Sequence, residues 1–149
     1  MNSEDIIKLL PYQPPFLFVD KLTSISEDYV QGSYTLKENE YFYKGHFKNA
    51  PMTPGVILIE VMAQIGVVCL GIYLLKDTLP KKYGPQIALT SSHVDFFIPV
   101  QPGEKVKVES RREYFRFKKL KCKVMLYNAE GKLACRGVIS GMINSSNNE

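Results

Sequence analysis

Two ionisable side chains interrupt segments that otherwise carry little chemistry. His46, one of only two histidines, stands in Gly45-His46-Phe47, and Glu60 lies in a run that is apolar at nearly every position from Val56 to about Leu75. An imidazole titrates near neutral pH, and burial raises a carboxyl pKa toward what a proton donor requires, so the two suit acid–base work. Each also has a plainer reading. A loop histidine is often just a half-exposed side chain. A carboxyl on an apolar helix must be paired, hydrogen-bonded, neutral or beside a cavity, and none of these demands catalysis. Gln64 falls on the same helical face as Glu60 and could supply such a bond.

Between them, Thr53-Pro54-Gly55 reads as a helix start, with Thr53 as N-cap and Pro54 in the first turn, where its missing N–H is no loss. Unpaired N–H groups and the positive end of the helix dipole favour developing negative charge there. Gly55 lets another molecule approach the backbone closely. A carbonyl bound at that point would be polarised, and the carbon beside it acidified.

The elements that must position these groups follow from pattern. A helix apolar on all sides is either a buried helix or a membrane span. The Val56–Leu75 stretch is long enough to cross a bilayer, which takes about 20 residues. Glu60 argues against that, because a carboxylate deep in a span costs on the order of 3 kcal/mol, and no second span exists. A helix wrapped by a sheet explains the run better. The loop from Lys37 to Pro51, punctuated by Gly45, Asn49 and Pro51, carries His46, and loops held by a rigid scaffold are where function concentrates.

Strand-like alternation is expected over Phe16–Ile25, Tyr29–Leu36, Gln86–Thr90, His93–Ile98, Glu104–Tyr114, Lys119–Tyr127 and Lys132–Met142. A short helix begins near Ser3, its candidate N-cap, and Pro11 stops it. One long helix against a mostly antiparallel sheet is an α+β layout, with residues 1–143 as a single domain and 144–149 as a flexible polar tail.

Composition narrows the class. The chain is 45% hydrophobic and carries a net charge of +4, enough apolar content for one core. Arg111, Arg112, Arg116, Lys118, Lys119, Lys121 and Lys123 interleave with Tyr114, Phe115 and Phe117. This strip reads as a solvated strand face rather than a nucleic-acid surface. Cys69, Cys122 and Cys135 lack metal or redox spacing and read as small core residues. With no visible secretory signal, a cytoplasmic location is expected. His93, on an apolar strand, reads as a bonded structural histidine.

The stretch GHFKNAPMTPGVILIEVMAQ, Gly45 to Gln64, resembles the active-site signature of the FabZ-type 3-hydroxyacyl-[acyl-carrier-protein] dehydratases, which have the hotdog fold. Leu10-Pro11 with Pro15-Phe16-Leu17-Phe18-Val19-Asp20 is similar to that family's opening motif, and FFIPVQPGE, Phe96 to Glu104, to its later one. The resemblance implies that His46 takes the C2 proton, oriented by the Met52 backbone carbonyl, and that Glu60 protonates the departing C3 hydroxyl. Gly55 N–H would hold the thioester carbonyl, and Gln64 would orient Glu60. The implied reaction converts (3R)-3-hydroxyacyl-acyl carrier protein to the trans-2-enoyl thioester in fatty acid or related acyl chain biosynthesis, without metal or redox cofactor. His46 and Glu60 of one site would come from different subunits, making a homodimer obligatory and a hexamer of three dimers usual.

The chain departs from that pattern at Tyr12, Gln13 and Pro14, where a His-Arg-Tyr-like run is common, and at Phe97-Ile98, where basic residues are frequent. Docking of an acidic carrier would then fall to Lys44, Lys48, Lys81, Lys82 or the Arg111–Lys123 strip. A hotdog acyl thioesterase, a dehydratase dedicated to a polyene or other secondary pathway, and a non-catalytic acyl-binding subunit are the competing readings, since a fold does not dictate a reaction.

Overall fold

A computed structural model describes residues 1–78 and 85–144 of the chain. Two helices and six strands follow in order: α1 Ser3–Lys8, β1 Lys21–Ile25, β2 Tyr29–Thr35, α2 Gly55–Leu74, β3 Gln86–Phe96, β4 Lys105–Arg116, β5 Lys119–Tyr127 and β6 Leu133–Asn144. The strands form one antiparallel sheet in the order β1-β2-β4-β5-β6-β3, and the α+β layout is the expected one. Residues 145–149 of the expected tail lie outside the described residues, and Asn144 ends β6.

Alternation decides which face of the sheet meets the helix. Val106, Val108 and Ser110 of β4 point inward, as do Leu120, Cys122, Val124 and Leu126 of β5, while the residues between them face outward. Against this face lie Val61, Met62, Ile65, Leu70 and Ile72 of α2, all fully buried. Each such side chain contributes roughly 1.5–3 kcal/mol on leaving water. The sheet bends around the helix with the help of register shifts at Leu22/Ser24, Leu89/Ser91, Arg112/Tyr114 and Leu126/Tyr127. Helix α2 is long and apolar enough to cross a membrane, yet 72% of its most apolar window is buried inside the fold, so the core accounts for its composition.

Helix α2 is not uniform. Residues Gly55–Ala63 are α-helical, Gln64–Cys69 form a π-helical segment, and Leu70–Leu74 return to α. The wider turn coincides with an outside donor: the buried Ser110 hydroxyl of β4 donates to the Gly66 carbonyl at 2.8 Å. A Cβ on Gly66 would lie 3.0 Å from that of Ser110 and 3.1 Å from a Val124 methyl, so glycine is what lets helix and sheet approach this closely.

Several boundaries differ from expectation for local reasons. The N-cap of α1 is Asn2, not Ser3, because Asn2 and Asp5 exchange side-chain-to-backbone bonds of 2.8 and 2.9 Å in a capping box. Residues 16–20 do not join β1. The Gln64 amide occupies the Phe16 carbonyl and the Phe18 N–H that a ladder would use. The two segments expected at Gln86–Thr90 and His93–Ile98 are one bulged strand, β3. His93 is exposed on that outer strand rather than buried and bonded, because β3 lies at the sheet edge, where alternation no longer implies burial.

Candidate active site

The loop before α2 is stitched down before it reaches His46. A 3-10 turn, Tyr41–Lys44, ends in Gly45. The buried Tyr43 hydroxyl is hydrogen-bonded to that of Thr53, and Thr53 N–H donates to the Val100 carbonyl at 2.9 Å. Thr53 therefore does not cap α2 as expected. Its side chain is engaged by Tyr43, and Pro54, in extended conformation, takes the N-cap position with no side-chain bond.

His46 is held twice by one residue. Its carbonyl accepts from Met52 N–H at 2.8 Å, and its ring Nδ1 lies 2.9 Å from the Met52 carbonyl. A carbonyl only accepts, so Nδ1 carries the hydrogen, and in the neutral ring the lone pair is on Nε2. The exposed Phe47 ring stacks on the imidazole at 3.9 Å between centroids and 28° between planes, fixing the ring's tilt. The half-buried imidazole thus has a defined tautomer and orientation, which a general base needs.

The start of α2 is open. Ile57 and Leu58 N–H groups donate to the Pro54 carbonyl at 3.0 and 3.2 Å, whereas among the described residues nothing accepts from Gly55 or Val56 N–H. Two unpaired donors at the positive end of a long helix form an anion-stabilising site. Beside them runs a largely apolar groove of about 290 Å3, bordered by Met52, Gly55, Leu58, Phe96, Phe97 and Ile98. The Phe96 ring lies 3.1–3.6 Å from where a Cβ on Gly55 would stand. Phe96 and Phe97 are about half exposed. Their place as groove walls was not legible from spacing, though adjacent exposed aromatics after a strand are a usable signal.

Glu60 is half-buried on the second turn of α2 and accepts from Gln64 Nε2 at 3.0 Å. Gln64 is fully buried. The same Nε2 donates to the Phe16 carbonyl at 3.1 Å, and Oε1 accepts from Phe18 N–H at 2.8 Å, so the amide cannot rotate without breaking backbone contacts. Tyr12 packs nearby. Its phenol is held well above its ordinary pKa, first by burial and then by the Glu60 charge, and stays neutral. Among the described residues no hydrogen bond or ion pair joins His46 to Glu60. Within one chain the first is tied to the loop and the second to the N-terminal segment. No three His, Cys, Asp or Glu side chains among the described residues cluster as metal ligands do.

A curved antiparallel sheet wrapped on a central helix, with an open helix start preceded by a loop that holds a clamped histidine, defines a hotdog-fold protein. The chain belongs to the FabA-like family, whose domain matches residues 10–142. It is 32% identical over 145 residues to the 3-hydroxyacyl-[acyl-carrier-protein] dehydratase FabZ of Nitratidesulfovibrio vulgaris, covering 96% of this chain and 91% of that one. To the protein of the same name in Clostridium perfringens it is 35% identical, covering 93% and 96%. Among solved structures, the dehydratase heterocomplex ApeI:P of Xenorhabdus doucetiae superposes with a TM-score of 0.79 at 15% identity, covering 98% of this chain and 94% of that one. A hypothetical thioesterase of Streptococcus pneumoniae, solved with coenzyme A, gives 0.62 at 12% identity, covering 83% and 84%. Likenesses at such identities speak for the fold alone.

Proposed function

We propose that this chain dehydrates 3-hydroxyacyl groups carried on acyl carrier protein to trans-2-enoyl thioesters, with His46 and Glu60 as its proton-transfer pair. The observation that carries the assignment of roles is the imidazole locked by Met52, a residue that lines the same groove as the unpaired N–H of Gly55. The thioester carbonyl accepts from Gly55 N–H, which stabilises negative charge as Nε2 of His46 removes a C2 proton. The C2–H electron pair forms the C2–C3 double bond while the C3–O bond breaks, and Glu60 gives its proton to the leaving hydroxyl, releasing water. Imidazolium and carboxylate remain, and proton return through solvent resets them. Gln64 holds the Glu60 carboxyl toward the substrate.

Assembly as at least a homodimer is part of the same proposal. Strand β3 lies at the sheet edge and is exposed from Ala88 to His93, an unprotected edge that soluble proteins ordinarily cover. Pairing of two such edges would bring the loop of one subunit toward the helix of the other and explain why the two groups do not meet within one chain. The buried free cysteines fit a reducing, cytoplasmic setting.

The test is to incubate the protein with a trans-2-enoyl thioester on carrier protein. Loss of enoyl absorbance without free thiol is the expected result, and stoichiometric thiol release would replace the dehydratase with a thioesterase. His46→Ala and Glu60→Gln should each lower turnover by about two orders of magnitude or more with an unchanged far-UV circular dichroism spectrum. Wild-type turnover in either variant removes that residue from its role.

A further inference from the structure

The outer face of the sheet holds a second cavity. It has a volume of about 510 Å3 and opens over β1, β2, β4 and the end of β5, within the size range of small-molecule sites. The register explains its shape. Lys21 pairs with Ser33, Ser33 with Lys107, and Lys107 with Tyr127, so these four residues form one row across four strands. Ser33 is only 6% exposed. It is a short, sunken floor between two long side chains. Lys105 stands two residues from Lys107, on the same face and in the same cavity.

The charges in this cavity are unbalanced. Lys21, Lys105 and Lys107 have no carboxylate within ion-pairing distance among the described residues, while Lys121 and Lys123 on the same sheet are both shared with Glu113. Glu109 is the one acidic side chain in the lining, and its carboxylate accepts from the Tyr127 hydroxyl at 3.4 Å. The Lys107 ammonium lies 5.6 Å from the centre of the Tyr127 ring. Strands two apart are about 10 Å from each other, and residues two apart along a strand about 7 Å. Long, flexible side chains rooted at such spacings can reach an anion that has more than one charged centre. All three lysines are exposed, so water screens their mutual repulsion and leaves them available to an anion.

We propose that this outer cavity binds a small organic phosphate with at least two anionic groups, at a site separate from the apolar groove beside Gly55. A concave cavity with a sunken floor favours a small ligand over the convex face of an acidic protein. Inorganic diphosphate is the probe, and inorganic phosphate at matched ionic strength is its control. Calorimetry on the full chain should show diphosphate binding about tenfold or more tighter than phosphate. Mass spectrometry should show diphosphate protecting Lys21, Lys105 and Lys107 from acetylation while Lys132 reacts as before.

The double variant Lys105→Gln/Lys107→Gln should weaken diphosphate about tenfold with dehydratase turnover and melting temperature unchanged. Lys123→Gln, which removes the same kind of charge outside the cavity, should change affinity less than about twofold. Equal weakening by Lys123→Gln would mean unspecific charge attraction. No saturable binding at millimolar diphosphate, or protection of these lysines by acidic carrier protein and not by diphosphate, would overturn the proposal.

Discussion

At the scale of single residues, Gln64 connects the chemistry to the scaffold. One amide serves a half-buried carboxyl group and two backbone groups, so its replacement has separable consequences. Gln64→Leu strands the buried Phe18 N–H, and an unsatisfied buried donor costs about 1–3 kcal/mol. Denaturant unfolding should report a loss of that size. Turnover of the still-folded protein should also fall, because Glu60 loses the group that aims it. A variant as stable as wild type would show that water replaces the amide. His46 differs in kind: its partner is a backbone carbonyl, which no side-chain substitution removes, so the tautomer is set by the path of the loop.

At the scale of elements, the open start of α2 yields a sharper test. Proline is well tolerated at the first helical position and lacks an N–H, so Gly55→Pro should keep the helix while deleting the proposed donor to the carbonyl. Gly55→Ala introduces the same Cβ against the Phe96 ring, 3.1 Å away, but retains the N–H. Turnover of the proline variant should be lower than that of the alanine variant by about 100-fold, the scale of losing one oxyanion donor. Equal rates in the two would assign the glycine to packing alone. The π-helical segment belongs to this scale as well: it lies where Gly66 lets β4 approach and where Ser110 takes up a helix carbonyl.

At the scale of the whole molecule, two properties are open to measurement. If each site draws His46 from one subunit and Glu60 from the other, mixing inactive His46→Ala and Glu60→Gln proteins under exchanging conditions should restore about a quarter of wild-type activity, since half of the random dimers carry one intact site. No recovery despite exchange, confirmed by tagged subunits, would place both groups in one chain. The second property is the core thiols. Burial pushes Cys122 up to about 11 and Cys135 up to about 12, with Cys69 also raised by burial. Because the thiolate is the nucleophile, none should react with a disulfide reagent at pH 8 until denaturant is added. The linkage has one sign: a thiol whose pKa is raised on folding contributes fully below its unfolded value, about 8.5, and loses that contribution as pH rises toward 11. Stability should therefore fall across that window, and replacing Cys122 with alanine should make the decline shallower.

What the sequence determined by itself was whatever rests on period and on local chemistry. The apolar run of α2 announced a buried helix, alternation announced β2, β4, β5 and β6, and a carboxyl with an amide one turn away on that helix announced their bond. The spacing of His46, Gly55 and Glu60 was legible for the same reason, because all three lie within one loop and the helix that follows it. Tertiary structure decided the features that need a partner distant in the chain. Thr53 caps nothing because Tyr43 claims its hydroxyl, the stretch Phe16–Phe18 stays out of the sheet because Gln64 takes the Phe16 carbonyl and the Phe18 N–H, and His93 is exposed because β3 has no neighbour on its outer side. The lysine-lined outer cavity depends on the register of four strands, which no local pattern encodes, since pairing is a contest between segments far apart along the chain.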